Sequence, residues 1–399
     1  RILSATATDP DGNTSEFSPA GADVVLALGV VGDSLSDEYD DQGYAYAQNW
    51  VESLAQTRLY VGEYGDDATP WPGVRQVGYE YNWAQRRATS ARLLAQGQHT
   101  GLAQQVDAGL VGYALVAIGQ DDFSPRGDAY KAIYSGAWDQ HDVDAYNETV
   151  LGNIHTAVAA LMETGVHLVL SNVMDYAVPA LVHLPGSGAV GRQRVADAIS
   201  RLNDRIEVLA HDYQIPLVDS YGLGKDFFGE HGDEIPFQWV GGVRIISLPG
   251  VDPHSAFLPD GVHPHTVVQA GLANALVEGL NLGFGVGITP FSELEMLTLA
   301  GLGGEYTGDT LGIDFADYVI LPPAGTGSVG DFVWYDLNGD GIQNDGDPAD
   351  VGVEGMEVEL FSAGSDGVAG GVDDVSLGVE VTDANGFYRF ENVPSGTYY

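Results

Sequence analysis

Two short segments, far apart in the chain, carry side chains that could do chemistry together. Gly32-Asp33-Ser34 closes an apolar, β-type run from Val24 to Val31. A serine at a strand end, where the chain turns into a helix, sets its hydroxyl beside free amides and the positive end of a helix dipole. A hydroxyl is a weak nucleophile until a base takes its proton, and that base is usually an imidazole oriented by a carboxylate. Asp260-Gly261-Val262-His263-Pro264 offers both groups, three residues apart, just before an apolar helical stretch. At that spacing carboxylate and imidazole can touch, which leaves the second ring nitrogen for Ser34. Taken singly, the first segment reads as a capped turn and the second as a solvated loop. Their joint occurrence points to nucleophilic acyl transfer.

The elements between them are those that such a pair requires. Strand-like runs at Asp23–Val31, Thr57–Val61, Tyr113–Ile118, Val166–Asn172 and Ile215–Asp219 alternate with amphipathic stretches at Ala45–Ala55, Trp83–Gln96, Val143–Glu163 and Val190–Tyr213. Val150, Ile154, Val158 and Leu161 recur at steps of three and four, as one helical face does. A last helix is predicted over His265–Leu280. This alternation implies a three-layer α/β domain over residues 23–288, with a parallel five-stranded sheet of order 2-1-3-4-5. In such sheets ligands bind beyond the carboxyl ends of the strands where the order reverses, here between the first and third strands. Those strands end at Gly32-Asp33-Ser34 and at Gly119-Gln120-Asp121-Asp122. The acidic run Asp37, Glu38, Asp40 and Asp41 is expected to be solvated, and Tyr44, Tyr46, Tyr79, Tyr81 and Trp83 to serve mostly the core.

Composition narrows the partners. The chain has 57 acidic and 15 basic residues, a formal net charge of −42, and no cysteine. Phosphate backbones and anionic membrane surfaces need clustered Lys and Arg, so neither fits. Cations and saline surroundings do. Disulfides and thiolate chemistry are excluded, and no apolar run approaches the ~20 residues of a membrane span. Residues 1–22 read as a β-hairpin or leader around Asp9-Pro10-Asp11-Gly12-Asn13, and 289–327 as tail and linker. The sequence opens at Arg1 without an initiator Met and stops at Gly396-Thr397-Tyr398-Tyr399 within an apparent strand, so the piece is expected to be cut from a longer polypeptide.

With Gly32-Asp33-Ser34-Leu35-Ser36-Asp37 as first block and Asp260-Gly261-Val262-His263-Pro264 as last, residues 23–282 resemble the GDSL, or SGNH, hydrolases. The resemblance implies a flavodoxin-like fold and ester hydrolysis without a catalytic cofactor. It makes Ser34 the nucleophile, His263 the base and then acid, Asp260 its orienting partner, and the Ser34 amide an oxyanion donor. Two middle blocks depart from the family pattern. In Asn82-Trp83-Ala84-Gln85-Arg86-Arg87-Ala88-Thr89-Ser90, Arg87 stands where relatives have glycine; in Gly119-Gln120-Asp121-Asp122, Asp121 replaces an asparagine whose amide binds the oxyanion. Three outcomes stay open at this level: a protonated Asp121 that donates, Arg87 serving as a substitute cation, or a slow or degenerate site.

From residue 328 helical periodicity ends. Phe332–Tyr335, Met356–Phe361, Ser376–Thr382 and Phe387–Phe390 read as strands of a small all-β sandwich over 328–399 lacking its last strand. Within it Asp336, Asn338, Asp340, Ile342 (through its carbonyl), Asn344 and Asp347 follow calcium-loop spacing, with Gly341 at the sharp turn. Together with Gly-Phe-Tyr-Arg-Phe at 386–390, this segment resembles Cna-B-like, SdrD B-type domains, which implies a structural Ca2+ and a spacer outside the cell. The sequence as a whole reads as a secreted or bacterial surface-attached esterase. It would act on acetyl or other acyl esters of polysaccharides, or on lipid esters. A non-catalytic adhesin with a degenerate hydrolase domain is the alternative.

Overall fold

The computed structural model describes residues 27–66, 77–175, 188–230, 233–322, 326–335, 351–362, 375–384, 386–394 and 398–399. The hairpin expected over 1–22 and the calcium loop at 336–347 lie outside the described residues. The chain divides into two compact units between Leu321 and Pro322.

The larger unit is built on a central sheet. Strands β1 (Leu28–Gly32), β2 (Tyr113–Ala117), β3 (His167–Ser171) and β4 (Leu217–Val218) run parallel in that spatial order, and β5 (Val319–Ile320) adds antiparallel to β4. The register sets Leu28 against Tyr113 and Gly32 against Ala117, so β1 and β2 end level with each other. Leu28, Val30 and Val31 of β1 and Ala114, Leu115 and Val116 of β2 are buried. Full burial of a Val or Leu side chain is worth about 1.5–3 kcal/mol, which makes this strand pair a firm base for the turns at its end.

The wholly parallel five-strand sheet of order 2-1-3-4-5 needs correction. Thr57–Val61 is not a strand. The outer edge of β1 is covered instead by two separate parallel bridges, Ala27 to Tyr60 and Val30 to Asn82. The chain turns away between them, so no ladder develops. The sheet's fifth member comes from the tail, and it is antiparallel.

Two groups of helices flank the sheet. On one side α1 (Trp50–Thr57) packs on α8 (Thr266–Phe284), and α9 (Glu293–Leu299) packs on α8 as well. On the other, α2 (Ser90–Gln96), α3 (Gln98–Asp107), α4 (Asp128–Ser135), α5 (Gln140–Met162) and α6 (Ala189–Asp212) pack among themselves, and α7 (Ser220–Phe228) follows β4. Helix α8 is buried on nearly every side, which fits its run of Val, Ala, Leu and Gly. A three-stranded sheet of Phe237–Val240, Val243–Pro249 and Ser255–Phe257 leads into the Asp260 segment. No periodic signal announced it. Among the described residues no helix is long and apolar enough to cross a membrane.

In the smaller unit, Thr326–Phe332 pairs antiparallel with Phe387–Pro394, Trp334–Tyr335 with Val351–Gly352, and Glu357–Ser362 with Val375–Val381. Leu360, Phe390 and Val393 form its buried core.

Candidate active site

The serine segment leaves β1 in a tight turn. The Ser36 and Asp37 amides donate to the Asp33 carbonyl at 3.1 and 2.9 Å, and the Leu35 amide donates to Asp33 Oδ1 at 3.1 Å. Contrary to the sequence reading, no helix follows directly. The turn makes a single wind, and α1 waits until Trp50, where an Asn49–Glu52 capping box starts it. The amides of this turn therefore face the site without a full helix dipole behind them. Close packing explains the glycine before it: a Cβ on Gly32 would stand 2.7 Å from the Ala117 carbonyl oxygen. Ser34 is buried at 5 % exposure, and its carbonyl accepts a 2.8 Å bond from Gln42 Nε2.

Asp37 and Glu38 also depart from expectation. Both are fully buried rather than solvated. Asp37 Oδ2 accepts the Arg86 amide at 2.8 Å, and Glu38 Oε1 accepts the Tyr79 amide at 2.8 Å. They tie the serine turn to the incoming second block. Asn82 adds a third tie by donating to the Ser36 carbonyl at 2.8 Å.

Across the cleft, Asp260 and His263 meet as their spacing suggested. His263 Nδ1 bonds to Asp260 Oδ2, while Asp260 Oδ1 accepts the amides of Val262 and His263 at 2.9 and 3.1 Å. Tyr44 donates a further bond to Asp260 Oδ2 at 2.9 Å. Burial alone would raise the Asp260 carboxyl, but the bond and charge of His263 with the two amides outweigh it and hold the group well below the usual carboxylate range. Asp260 is therefore an anion at any working pH, fit to orient an imidazole and to stabilise its charged form. The Tyr44 hydroxyl is pushed up to about 12 by burial and by its bond to that anion.

His263 Nε2, the nitrogen left over, is buried and has no hydrogen-bond partner. A bond from Ser34 Oγ is thus not formed here, as is common before substrate arrives. The two segments are nonetheless held side by side. Tyr39, five residues after Ser34, donates to the Pro264 carbonyl at 2.7 Å, and its ring lies 6.0 Å from that of His263. Gln269 on α8 donates to Tyr39 at 2.6 Å and to the Leu35 carbonyl at 3.4 Å. The sequence reading missed this Tyr39–Gln269 strap, and no local pattern could have revealed it. A pocket is lined by Leu35 beside Ser34, by Val262 and Pro264 on either side of His263, and by Met174, Phe228 and Phe257.

The two unusual positions come next. Arg87 has φ +61°, in the left-handed region, and its side chain is exposed. The backbone keeps the conformation that glycine would adopt freely, although the residue is arginine. Among the described residues the amides of Ser34 and Arg87 find no acceptor, so both are available as donors. Asp121 follows Gly119, whose φ of +114° and 2.7 Å clearance to Val173 exclude a side chain. Asp121 Oδ2 is buried without a partner. Burial raises the Asp121 carboxyl above its ordinary value, against the lowering charges of His263, Arg87, Arg126 and Arg92. Its neighbour Asp122 accepts the Ser90 amide at 2.7 Å and hydroxyl at 2.9 Å, and burial pushes it to about 6. That pair joins the second and third blocks.

His254 bonds to Asp252 at 2.7 Å and Glu305 at 3.1 Å, away from this cluster. Among the described residues no group of three or more His, Asp or Glu is arranged to hold a metal ion.

Comparison with known proteins separates the two units. Residues 327–399 match the family model described as the SdrD B-like domain. The chain is 39 % identical over 79 residues to Colossin-B of Dictyostelium discoideum, covering 20 % of this chain and 2 % of that protein. It is also 39 % identical over 71 residues to serine-aspartate repeat-containing protein C of Staphylococcus aureus, covering 18 % of this chain and 6 % of that one. The chain thus spans only a small part of these relatives. Solved structures similar to the rest include a lipase from a goat rumen metagenome (15 % identity, TM-score 0.39, 65 % of this chain and 97 % of that one). A putative acylhydrolase from Bacteroides fragilis gives 14 %, 0.37, 64 % and 87 %. An acetyl xylan esterase from Geobacillus stearothermophilus gives 14 %, 0.35, 64 % and 94 %. At these scores the chemistry has to be read from the chain's own residues.

Proposed function

We propose that the larger unit is a serine ester hydrolase working through an acyl-Ser34 intermediate. The observation that carries this reading is the Asp260–His263 pair, whose outer nitrogen is buried, unpartnered and strapped beside the Ser34 turn. In the proposed cycle Ser34 Oγ attacks the acyl carbon and passes its proton to His263 Nε2. The tetrahedral oxyanion is met by the amides of Ser34 and Arg87. Collapse breaks the ester C–O bond, and His263 returns the proton to the departing alcohol. Water, deprotonated by the same nitrogen, then releases the acid. No cofactor is required.

The apolar lining of the cavity suits an acyl group, and the partly exposed Tyr46 next to Tyr44 and His265 suits the face of a sugar ring. Acetyl or other short acyl esters on polysaccharide are therefore the favoured substrates, with lipid esters second. The SdrD B-like unit is proposed as a calcium-binding spacer in a secreted or surface-attached protein. The calcium assignment rests on the spacing of Asp336, Asn338, Asp340, Asn344 and Asp347. A non-catalytic adhesin is the second reading, favoured by the carboxyl at 121 where an amide donor is wanted. A panel of p-nitrophenyl esters from acetate to octanoate separates the two. Turnover that falls to background in Ser34→Ala supports the hydrolase, and no turnover by folded wild-type protein on any ester supports the adhesin.

A further inference from the structure

We propose that the ester cleaved here sits on an anionic polysaccharide, and that Arg87, Arg92 and Arg126 around the mouth of the site receive its acidic groups. The inference deepens the hydrolase reading and rests on it. Three short segments bring these arginines toward the Ser34 turn. The Gln85 amide donates to the Gly32 carbonyl at 3.2 Å and the Arg86 amide to Asp37 Oδ2 at 2.8 Å, which fixes the chain that carries Arg87. Arg92 stands in the first turn of α2, whose opening residue Ser90 is bonded to Asp122. Arg126 lies in the turn after Asp121, where the Ser124 amide returns to the Asp121 carbonyl at 3.3 Å and the Gly127 amide to the Ser124 carbonyl at 2.7 Å. All three arginines are exposed. Their charges converge on the site: each works to lower the Asp121 carboxyl, and Arg126 also acts on the hydroxyl of Tyr44, which holds Asp260.

What these arginines lack is a partner. With 57 acidic residues against 15 basic ones, a surface cation in this chain has many carboxylates to choose from. Arg58, Arg205 and Lys225 are accordingly paired with Glu295, Glu148 and Glu230. Among the described residues Arg87, Arg92 and Arg126 make no ion pair, not even with Asp121, whose Oδ2 is buried and unpartnered. The carboxyls of the site, Asp33, Asp121, Asp122 and Asp260, are buried or half-buried, so the rim presents guanidinium to an approaching chain. A local field of that sign gathers anions at the site while the rest of a surface of net charge −42 repels them. The planar guanidinium holds carboxylate and phosphate-like oxyanions through two parallel N–H bonds, which gives the cluster a defined ligand chemistry.

A sugar strand fits this rim better than an anionic lipid surface does. A membrane sets a continuous negative plane against the protein, and three cations cannot offset the net charge behind them. A single strand touches the rim alone. There Tyr46, 49 % exposed and 6.2 Å from Tyr44 between ring centres, offers an aromatic face to a pyranose. Uronate carboxylates and sulfate esters share the chemistry that the arginines require.

The test compares kcat/KM on acetylated polyuronate, an acetylated sulfated glycan and acetylated neutral xylan. It uses wild type and the double variant Arg92→Gln, Arg126→Gln, which spares the Arg87 amide, with folding checked by circular dichroism. Wild type should prefer an anionic polymer over the neutral one by about tenfold or more at about 0.1 M salt. The preference should shrink toward about 1 M, as the screening length falls from about 10 to about 3 Å. The double variant should lose most of the preference, with the loss appearing in KM. A preference for the polyuronate identifies the anion as carboxylate, and one for the sulfated glycan as sulfate. Equal rates on anionic and neutral polymers, or a preference that survives intact in the double variant, overturns the inference. So does faster cleavage of phosphatidylglycerol vesicles than of any of the glycans. Labelling of wild-type Ser34 by a fluorophosphonate keeps the two levels apart. A labelled serine with no preference for an anionic polymer removes only the substrate class, whereas an unlabelled serine with no turnover removes the hydrolase reading with it.

Discussion

Replacing Arg87 with glycine should stabilise the larger unit, an unusual outcome for removing a side chain near a candidate site. Arg87 adopts φ +61°, where an L-residue brings its Cβ against the following carbonyl at a cost of roughly 1–2 kcal/mol. Glycine escapes that clash but loses about 0.5–1 kcal/mol through its greater freedom in the unfolded chain. The difference is a gain of about 0.5–1 kcal/mol, or about 1–4 °C in Tm for a unit of this size. The Arg87 side chain is exposed, so little packing is lost. Its charge sits in a protein of net charge −42, and losing it works against stability. Arg87→Ala is the control, because it loses the same charge and keeps the Cβ. Urea unfolding of both variants, followed by circular dichroism, isolates the backbone effect. Arg87→Gly should exceed Arg87→Ala by about 1 kcal/mol. Equal stability of the two variants would show that the left-handed conformation stores no strain at this position.

Two further outcomes are expected. Burial pushes the Glu52 carboxyl up to about 7, against the Asn49 and Tyr39 amides that donate to it. Its contribution to stability is thus complete below about pH 4.5 and is lost as pH rises through about 7, a change of about 3 kcal/mol. Glu52→Gln should show no such decline when urea midpoints are compared at pH 4.5 and 8. In the smaller unit, millimolar calcium should raise the melting temperature of wild type and leave Asp340→Ala unmoved. No rise in wild type would leave a plain spacer.

How much of this was legible in the sequence depended on whether a signal was local. Helix α8 and strands β1 to β3 were readable because burial writes a period into the chain: Leu28, Val30 and Val31, or the continuous apolar face of Thr266–Phe284. The Asp260–His263 contact was readable because three residues on one turn can meet by spacing alone. The solvated reading of Asp37 and Glu38 failed for the opposite reason. Their partners are amides at Arg86 and Tyr79, brought in by an excursion that no periodicity marks. The strand-end serine likewise suggested a helix directly after Ser34, but bonds to the Asp33 carbonyl and carboxylate close a single turn there. Tyr44 was expected to serve the core, and Tyr39 carried no signal. Their hydroxyls find Asp260 and the Pro264 carbonyl from the far end of the unit. Thr57–Val61 has strand composition but contributes only the Tyr60 bridge. Edge pairing depends on where the chain goes next, and composition does not encode that.

The central claim is that Ser34 is a nucleophile activated by His263. Its most direct measurement is the mass of the Ser34 peptide after treatment with a fluorophosphonate, in wild type and in His263→Ala. The account predicts a stoichiometric adduct on Ser34 in wild type, lost or slowed by orders of magnitude in the variant. A well-folded wild-type protein with no adduct on Ser34, or a variant labelled as fast as wild type, would contradict it.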